Sequence, residues 1–173
     1  MMTDLIAIAV TLFGALLLGH AGWGKFSAPD SYTSAVTAYL GRPVGVGFVY
    51  AIATLEGLIA LLLLIPITRE FGAAMAALLM LGYAIAIGRQ VAAGRRDLRC
   101  GCGGPASETR MGPELVMRNL MVALLFSGVV VAPTRPADLG TIIAGAAFAA
   151  LLTILYHAAD LLIANRQRMQ GLY

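Results

Sequence analysis

The chain has 173 residues, of which 60% are hydrophobic and only 12% are charged, and its mean hydropathy is +0.84. An average soluble domain has about 25% charged residues, so this composition excludes an ordinary water-soluble protein and predicts one embedded in a lipid bilayer. The net charge of +3 does not require a nucleic-acid partner, because arginine-rich loops facing anionic lipid account for it.

Five apolar segments are long enough to cross a membrane, which takes about 20 residues with about 17 as the lower limit. Residues 1–4 lack the positive n-region of a cleaved signal peptide, so the first segment is interpreted as a retained helix. Pro66 ends the second segment, and Arg118 must lie inside the fourth, because its uninterrupted apolar run is too short to span. We therefore predict one all-α domain over residues 1–173, a polytopic bundle with transmembrane helices at about 5–22, 44–65, 71–88, 114–132 and 139–164.

The basic residues separate unequally between the two sides of such a bundle. The side facing the ends of the first, third and fifth spans holds Lys25, Arg42, Arg89, Arg95, Arg96, Arg99, Arg110, Arg166 and Arg168. The other side holds Arg69 and Arg135. By the positive-inside rule, the N-terminus of this multi-pass protein lies outside a bacterial inner membrane, and the C-terminus and the loop between spans three and four are cytoplasmic.

That loop contains the two cysteines of the chain, Cys100 and Cys102, which flank Gly101. A disulfide between residues i and i+2 needs a contorted backbone, so the small ring should be strained and therefore oxidising. Arg99 favours the thiolate over the thiol, which promotes both nucleophilic attack and metal binding. Redox exchange is the favoured interpretation, and metal binding and inert thiols are the alternatives.

Glu56 lies in the body of the second span, where an ionisable residue costs about 2.5 to 3.5 kcal/mol on insertion scales. We expect its carboxylate to face the bundle interior. One interpretation is a structural hydrogen bond or ion pair to another helix, with Arg118 as the suggested partner. The other is a role in proton transfer or in contact with a quinone.

Other polar residues should gather on the arginine-rich side of the bundle. His157 and Asp160 are three apart on a helix, so the carboxylate could fix the imidazole tautomer or hold its proton. Packing or capping at the interface is the structural alternative for His157. The remaining members of this group are His20, Trp23 and Lys25 at the end of the first span, and Arg118 and Asn119 in the first turns of the fourth.

Four stretches carry a family resemblance: "GHAGWGKFSAPDSYTSAVTAYLGRP", "LEGLIALLLLIP", "RCGCGGPAS" and "LVMRNLMVALL". Their sharpest marks are Gly24-Lys25, Glu56-Gly57, Cys100-Gly101-Cys102 and Arg118-Asn119. Over about residues 5–165 the chain resembles the MauE family of methylamine-utilisation proteins and its DoxX-like relatives. The family typically has Phe-Gly after its second cysteine, whereas Gly103-Gly104 follows Cys102, so an aromatic cover over the site is absent.

The resemblance implies an integral membrane protein linked to thiol redox chemistry, which assists maturation of a disulfide-rich enzyme subunit together with a thioredoxin-like partner. With the residues above, it favours a thiol–disulfide oxidoreductase component in which Cys100 and Cys102 cycle between dithiol and disulfide. In this hypothesis Arg99 and Arg118 stabilise the thiolate, His157 with Asp160 or His20 handles protons, and Glu56 shuttles a proton or contacts a quinone. His20, Trp23, Lys25 and Asn119 are the candidate site for a quinone or a partner.

Two other classes of function stay open. The protein could be a non-catalytic accessory subunit of a larger membrane complex, such as a respiratory complex, because its many Gly and Ala residues suit close helix packing. It could also bind or transport a soft metal through the two thiolates, with His20 and His157 as further ligands. No metal site is assigned, and a quinone is the candidate cofactor.

Overall fold

The computed structural model describes residues 2–95, 110–131 and 138–170. Within these ranges the chain forms six helices: α1 (Met2–Ser27), α2 (Pro29–Leu40), α3 (Val46–Leu64), α4 (Arg69–Ala92), α5 (Pro113–Val131) and α6 (Leu139–Gln170). All except α2 are long and apolar enough to cross a membrane. The predicted all-α polytopic fold is therefore confirmed, and α1, α4 and α6 extend further than the sequence predicted.

The first helix organises the bundle. It packs against α3 and α6, while α4 pairs with α5 and also contacts α3. In the most apolar stretch of 18 residues in α1, 50% of the residues are buried inside the protein. In the corresponding stretch of α6, only 11% are buried. The central position therefore belongs to α1, and α6 lies at the periphery with a largely exposed apolar surface. Prominent members of the shared core are Val10, Phe13, Leu18, Ile59, Leu63 and Phe126.

Glycines allow α3 to approach its two neighbours backbone to backbone. A Cβ atom placed on Gly72 of α4 would lie 2.9 Å from backbone atoms of Leu62 and Leu63. A Cβ atom on Gly22 of α1 would lie 3.0 Å from the carbonyl oxygen of Ala53. Since membrane helices associate through close packing of small residues, these contacts fix the spacing of α1, α3 and α4.

The short helix α2 was not predicted from the sequence, because 12 residues cannot span a bilayer and its apolar residues are not continuous. Its boundaries do have sequence signals. Pro29 occupies the first turn, where a missing N–H costs nothing, and Gly41 follows the last residue with φ +63°, a conformation that favours glycine.

Side chains from the last turn of α4 and from the residues just after it hold the last turn of α2 in place. Gln90 Nε2 donates to the carbonyl of Tyr39 at 2.9 Å, and the Arg95 guanidinium donates to the carbonyl of Ala38 at 2.6 Å. The last four carbonyls of a helix have no intrahelical donor, so these bonds satisfy groups that would otherwise need water. The short helix is thereby fixed against the bundle.

Polar residues define the ends of the spanning helices. As predicted, α3 ends just before Pro66. Pro113 is the first residue of α5, a position where a missing N–H costs nothing. The hydroxyl of Thr68 donates to the carbonyl of Leu62 at 2.9 Å, which satisfies a carbonyl in the last turn of α3. Asp138 precedes α6 and accepts a hydrogen bond from the side chain of Thr141, which is the main cause of the lowered pKa of its carboxyl group.

We predict that Gly72→Ala destabilises the protein by about 1 to 3 kcal/mol, because the added methyl group overlaps the backbone of α3. Gly82→Ala on the same helix is the matched control, since nothing lies within 4 Å of a Cβ at that position. The control should equal the parent or exceed it slightly, because alanine has the higher helix propensity. Thermal unfolding in detergent compares the two variants, and equal midpoints would contradict backbone contact at Gly72.

Candidate functional site

A cavity of about 280 Å³ lies at one end of the bundle, where α1, α4 and α6 finish and α3 and α5 begin. We call this the basic end, because Lys25, Arg89 and Arg110 are located there. The cavity wall is mostly apolar. Its polar members are Lys25, Glu56 and Asn119, and its aromatic members are Tyr32, Tyr39, Phe48, Tyr83 and Tyr156.

A buried ion pair forms the polar centre of the cavity. Lys25 Nζ lies 2.8 Å from both carboxylate oxygens of Glu56, and the hydroxyl of Tyr83 donates to Glu56 Oε1 at 2.7 Å. Glu56 is fully buried, and it lies about 15 Å along α3 from the first residue of that helix at 1.5 Å per residue. Three spanning helices, α1, α3 and α4, therefore converge on one carboxylate in the interior.

Lys25 has further contacts that hold its ammonium group inside the bundle. The nitrogen lies 3.4 Å from the carbonyl oxygen of Ala21 and 5.3 Å from the ring centroid of Tyr32 in α2. A cation over an aromatic face is stabilised further where water is scarce. The expectation that Glu56 faces the bundle interior is confirmed. The sequence had suggested Arg118 as its partner, but the partner in the structure is Lys25.

Arg118 belongs to a second ion pair, which joins α5 to α6. Its guanidinium donates to the carboxylate of Asp160, and the guanidinium carbon lies 4.9 Å from the ring centroid of Tyr156. Asp160 thus pairs with Arg118, whereas Nδ1 of His157 lies 2.8 Å from the carbonyl oxygen of Thr153. The predicted use of Asp160 to orient His157 is accordingly replaced by an interhelical ion pair.

Asn119 follows Arg118 in the chain but faces the cavity. It is 3% exposed, and its amide nitrogen is buried with no hydrogen-bond partner in the described part of the protein. Burying an amide donor without an acceptor costs about 1 to 3 kcal/mol. The cavity therefore contains a polar group whose hydrogen bond is available to a bound molecule.

Other predicted site residues lie away from this cavity. Trp23 is 71% exposed at the end of α1 and does not line it. His20 and His157 are both exposed, and their rings meet edge to face with centroids 6.0 Å apart. Of the four residues predicted to form a quinone or partner site, the structure thus brings Lys25 and Asn119 into one cavity and leaves His20 and Trp23 outside it.

Cys100, Cys102 and Arg99 lie outside the described residues. The described residues that flank them are anchored at the basic end. Arg95 bonds to α2, as given above. The backbone N–H of Arg110 donates to Gln167 Oε1 at 2.8 Å, and Gln167 Nε2 donates back to the carbonyl of Arg110 at 3.0 Å. Both flanks of the cysteine-bearing segment are therefore tied to neighbouring helices.

The tyrosines of the site were not among the residues predicted from the sequence. Tyr83 is the only residue with a hydroxyl group in the apolar stretch from Phe71 to Ile87, so it could have been selected as a partner for Glu56. Tyr32 and Tyr39 lie in the helix that was not predicted. Tyr156 precedes His157 in the chain and contacts Arg118. The ring centroids of Tyr156 and Phe13 lie 5.9 Å apart.

Comparison with known proteins identifies the family. The sequence model of the family described as "Methylamine utilisation protein MauE" matches residues 2–133. The chain belongs to the MauE family. It is 31% identical over 166 residues to the methylamine utilization protein MauE of Methylophilus methylotrophus, an alignment that covers 91% of this chain and 86% of that protein. No solved structure matches.

The MauE match includes most of the site. It extends from α1 through α5 and so contains both members of the Lys25–Glu56 pair, the hydroxyl of Tyr83 and the amide of Asn119. It ends before α6, which provides Asp160 as the partner of Arg118. The cavity is thus built mainly by the part of the chain that defines the family.

We predict that Lys25→Met destabilises the protein by about 3 to 5 kcal/mol, because it leaves the buried carboxylate of Glu56 without its countercharge. Glu56→Leu should cost less, since the longer lysine side chain can turn toward water. Tyr83→Phe should cost about 1 kcal/mol for one lost hydrogen bond.

A double-mutant cycle of thermal stability in detergent checks the assignment. The Lys25→Met, Glu56→Leu double variant should regain much of the stability lost by Lys25→Met, because two apolar side chains can replace a buried pair. Additive losses would show that the two charges are not coupled.

Proposed function

We infer that this MauE-family membrane protein is a thiol–disulfide redox component, in which Cys100 and Cys102 cycle between disulfide and dithiol. The observation that carries the inference is that one bundle contains both a Cys-Gly-Cys segment and a buried, hydrogen-bonded group of Lys25, Glu56 and Tyr83. The segment joins α4 to α5, and these helices provide Tyr83 and Asn119 to the cavity. The described residues form only the helices of the bundle and no thioredoxin-like domain, so we propose that a separate, soluble thioredoxin-like protein is the partner.

The proposed exchange conserves atoms and electrons. A thiolate of the partner attacks one sulfur of the Cys100–Cys102 disulfide, forming a mixed disulfide and releasing the other cysteine as a thiolate. The second thiolate of the partner then attacks its own sulfur in the mixed disulfide. The partner leaves as a disulfide, and this chain becomes the dithiol after taking up two protons.

Charges at the basic end support this chemistry. Arg99 is adjacent to Cys100 in the sequence, and a neighbouring positive charge lowers the pKa of a thiol and so favours the attacking or leaving thiolate. Arg118 has its carboxylate partner in Asp160, so we assign thiolate stabilisation to Arg99 first. We assign proton transfer in this proposal to His20 and His157, whose side chains are exposed on the surface of the bundle.

The relative's name suggests the physiological setting. Because a relative is a methylamine utilization protein, we propose that this chain serves maturation of an enzyme in a comparable pathway. We also propose an inner-membrane location with the C-terminus and the cysteine segment in the cytoplasm. Setting aside Lys25, which is occupied by Glu56, leaves eight basic residues on the proposed inner side against two on the other.

We predict that at least one of the two cysteines is alkylated rapidly below pH 8.5, the approximate pKa of a free thiol. Arg99→Gln should shift the pH profile of the alkylation rate upward, since it removes the charge that favours the thiolate. Arg69→Gln at the start of α4, on the opposite end of the bundle, is the control and should leave the profile unchanged. Mild oxidation should form an intramolecular disulfide that a reduced thioredoxin-like protein removes.

The same titration separates the competing functions. Labelling that is suppressed until a chelator is added would indicate metal binding by the thiolates. Slow labelling that does not depend on Arg99 would contradict the redox proposal. Normal assembly and activity of a partner complex with a Cys100→Ser, Cys102→Ser variant would favour an accessory subunit.

The orientation has its own test. We fuse after Tyr173 a reporter that works only in the cytoplasm, and we expect it to be active, because the basic end contains most of the arginines. A periplasmic reporter at the same position should be inactive. Periplasmic activity alone would reverse the proposed orientation while leaving the thiol chemistry to be judged separately.

A further inference from the structure

We propose that the cavity at the basic end binds the head group of an isoprenoid quinone, with Asn119 as the hydrogen-bond donor to one quinone carbonyl. This inference deepens the proposed function, because a quinone is a membrane-soluble acceptor for the electrons of a dithiol. The binding proposal itself depends only on residues of the cavity. Binding can therefore be tested in a protein that lacks both cysteines.

The size of the cavity limits the ligand. Ligand pockets in proteins measure about 300 to 1,000 Å³, so a cavity of about 280 Å³ lies just below this range. It suits one substituted six-membered ring and is too small for a whole phospholipid. Leu40 of α2 and Phe48 of α3 line the cavity while being 48% and 47% exposed. They mark an apolar opening through which an isoprenoid tail can extend into lipid.

The charges of the cavity select a neutral ligand. The ammonium group of Lys25 and the carboxylate of Glu56 neutralise each other at 2.8 Å, so neither an anion nor a cation would find an uncompensated charge. The hydroxyl hydrogen of Tyr83 is already donated to Glu56. A fatty acid, whose carboxylate needs a free cation, is therefore disfavoured relative to a carbonyl compound.

Asn119 determines which neutral ligand fits. Its buried amide nitrogen lacks an acceptor among the described residues, although the rest of the cavity around it is satisfied or apolar. An aliphatic chain would leave this donor unsatisfied, whereas a ring carbonyl would accept from it. The rings of Tyr32, Tyr39 and Tyr156 also line the cavity and give a planar ligand aromatic surfaces to contact.

Within the proposed cycle, the quinone would oxidise the dithiol. Cys100 and Cys102 would lose two electrons and two protons and close their disulfide, and the quinone would gain them to become the quinol. Glu56, Lys25 and Tyr83 form a hydrogen-bonded group at the cavity through which a proton can be supplied. This step relies on the proposed function, whereas binding does not.

The test measures binding of ubiquinone-1 to the full chain carrying Cys100→Ser and Cys102→Ser, by isothermal titration calorimetry in detergent. Saturable binding at one site is expected. Asn119→Leu in this background should weaken affinity about tenfold or more, because it removes the donor. Asn165→Leu is the matched control, since Asn165 is exposed on α6 outside the cavity, and it should leave affinity unchanged.

A cavity-filling variant and a thermal assay protect the test against misfolding. Ala35→Phe, placed on the cavity wall in α2, should abolish binding while Asn119→Leu should keep or raise the thermal midpoint of the ligand-free protein. Unsaturable uptake, or affinity indifferent to both variants, would overturn the quinone site. So would a tightly retained acyl lipid that ubiquinone-1 fails to displace. Quinone binding without thiol exchange would refute only the proposed function, and thiol exchange without quinone binding would refute only the cavity assignment.

Discussion

The neutralisation of one buried carboxylate constrains the rest of this bundle. Glu56 is fully buried inside a membrane protein, where an unpaired charge is costly, and it is paired with the ammonium group of Lys25 and the hydroxyl of Tyr83. These donors come from α1 and α4, on either side of α3. Gly22 allows the necessary closeness, because a Cβ on it would lie 3.5 Å from Cβ of Glu56. Electrostatics and backbone packing thus require the same arrangement of three helices.

The second ion pair extends this arrangement to the periphery. Arg118 joins α5 to α6 through Asp160, and Tyr156 contacts the guanidinium while also lining the cavity. Because Asn119 is adjacent to Arg118, fixing one side chain toward α6 directs the other toward the cavity. The Arg-Asn pair in the fourth span thereby divides two tasks between neighbouring residues: one attaches an outer helix, and the other presents an amide donor.

The sequence predicted the five spanning helices because a bilayer imposes a length and an apolar composition that are read directly from the residues. It also predicted that Glu56 faces inward, because exposing a charged side chain to lipid always costs free energy. It could not identify Lys25 as the partner, because that depends on how α1 and α3 rotate about their axes. The helix α2 was missed for a related reason: two of the hydrogen bonds that hold its last turn come from Gln90 and Arg95, which are more than 50 residues away in the chain.

The way in which α2 is held has a consequence for local unfolding. An isolated helix of 12 residues is marginal in water, and Tyr32 is the only fully buried residue of α2. Its last turn is held by two side-chain hydrogen bonds from Gln90 and Arg95, and Tyr39 packs against the small cluster around Ile87 and Leu115. Amide hydrogens in α2 should consequently exchange with solvent through an opening that costs far less than global unfolding. The five-helix scaffold can then remain intact while this wall of the cavity opens.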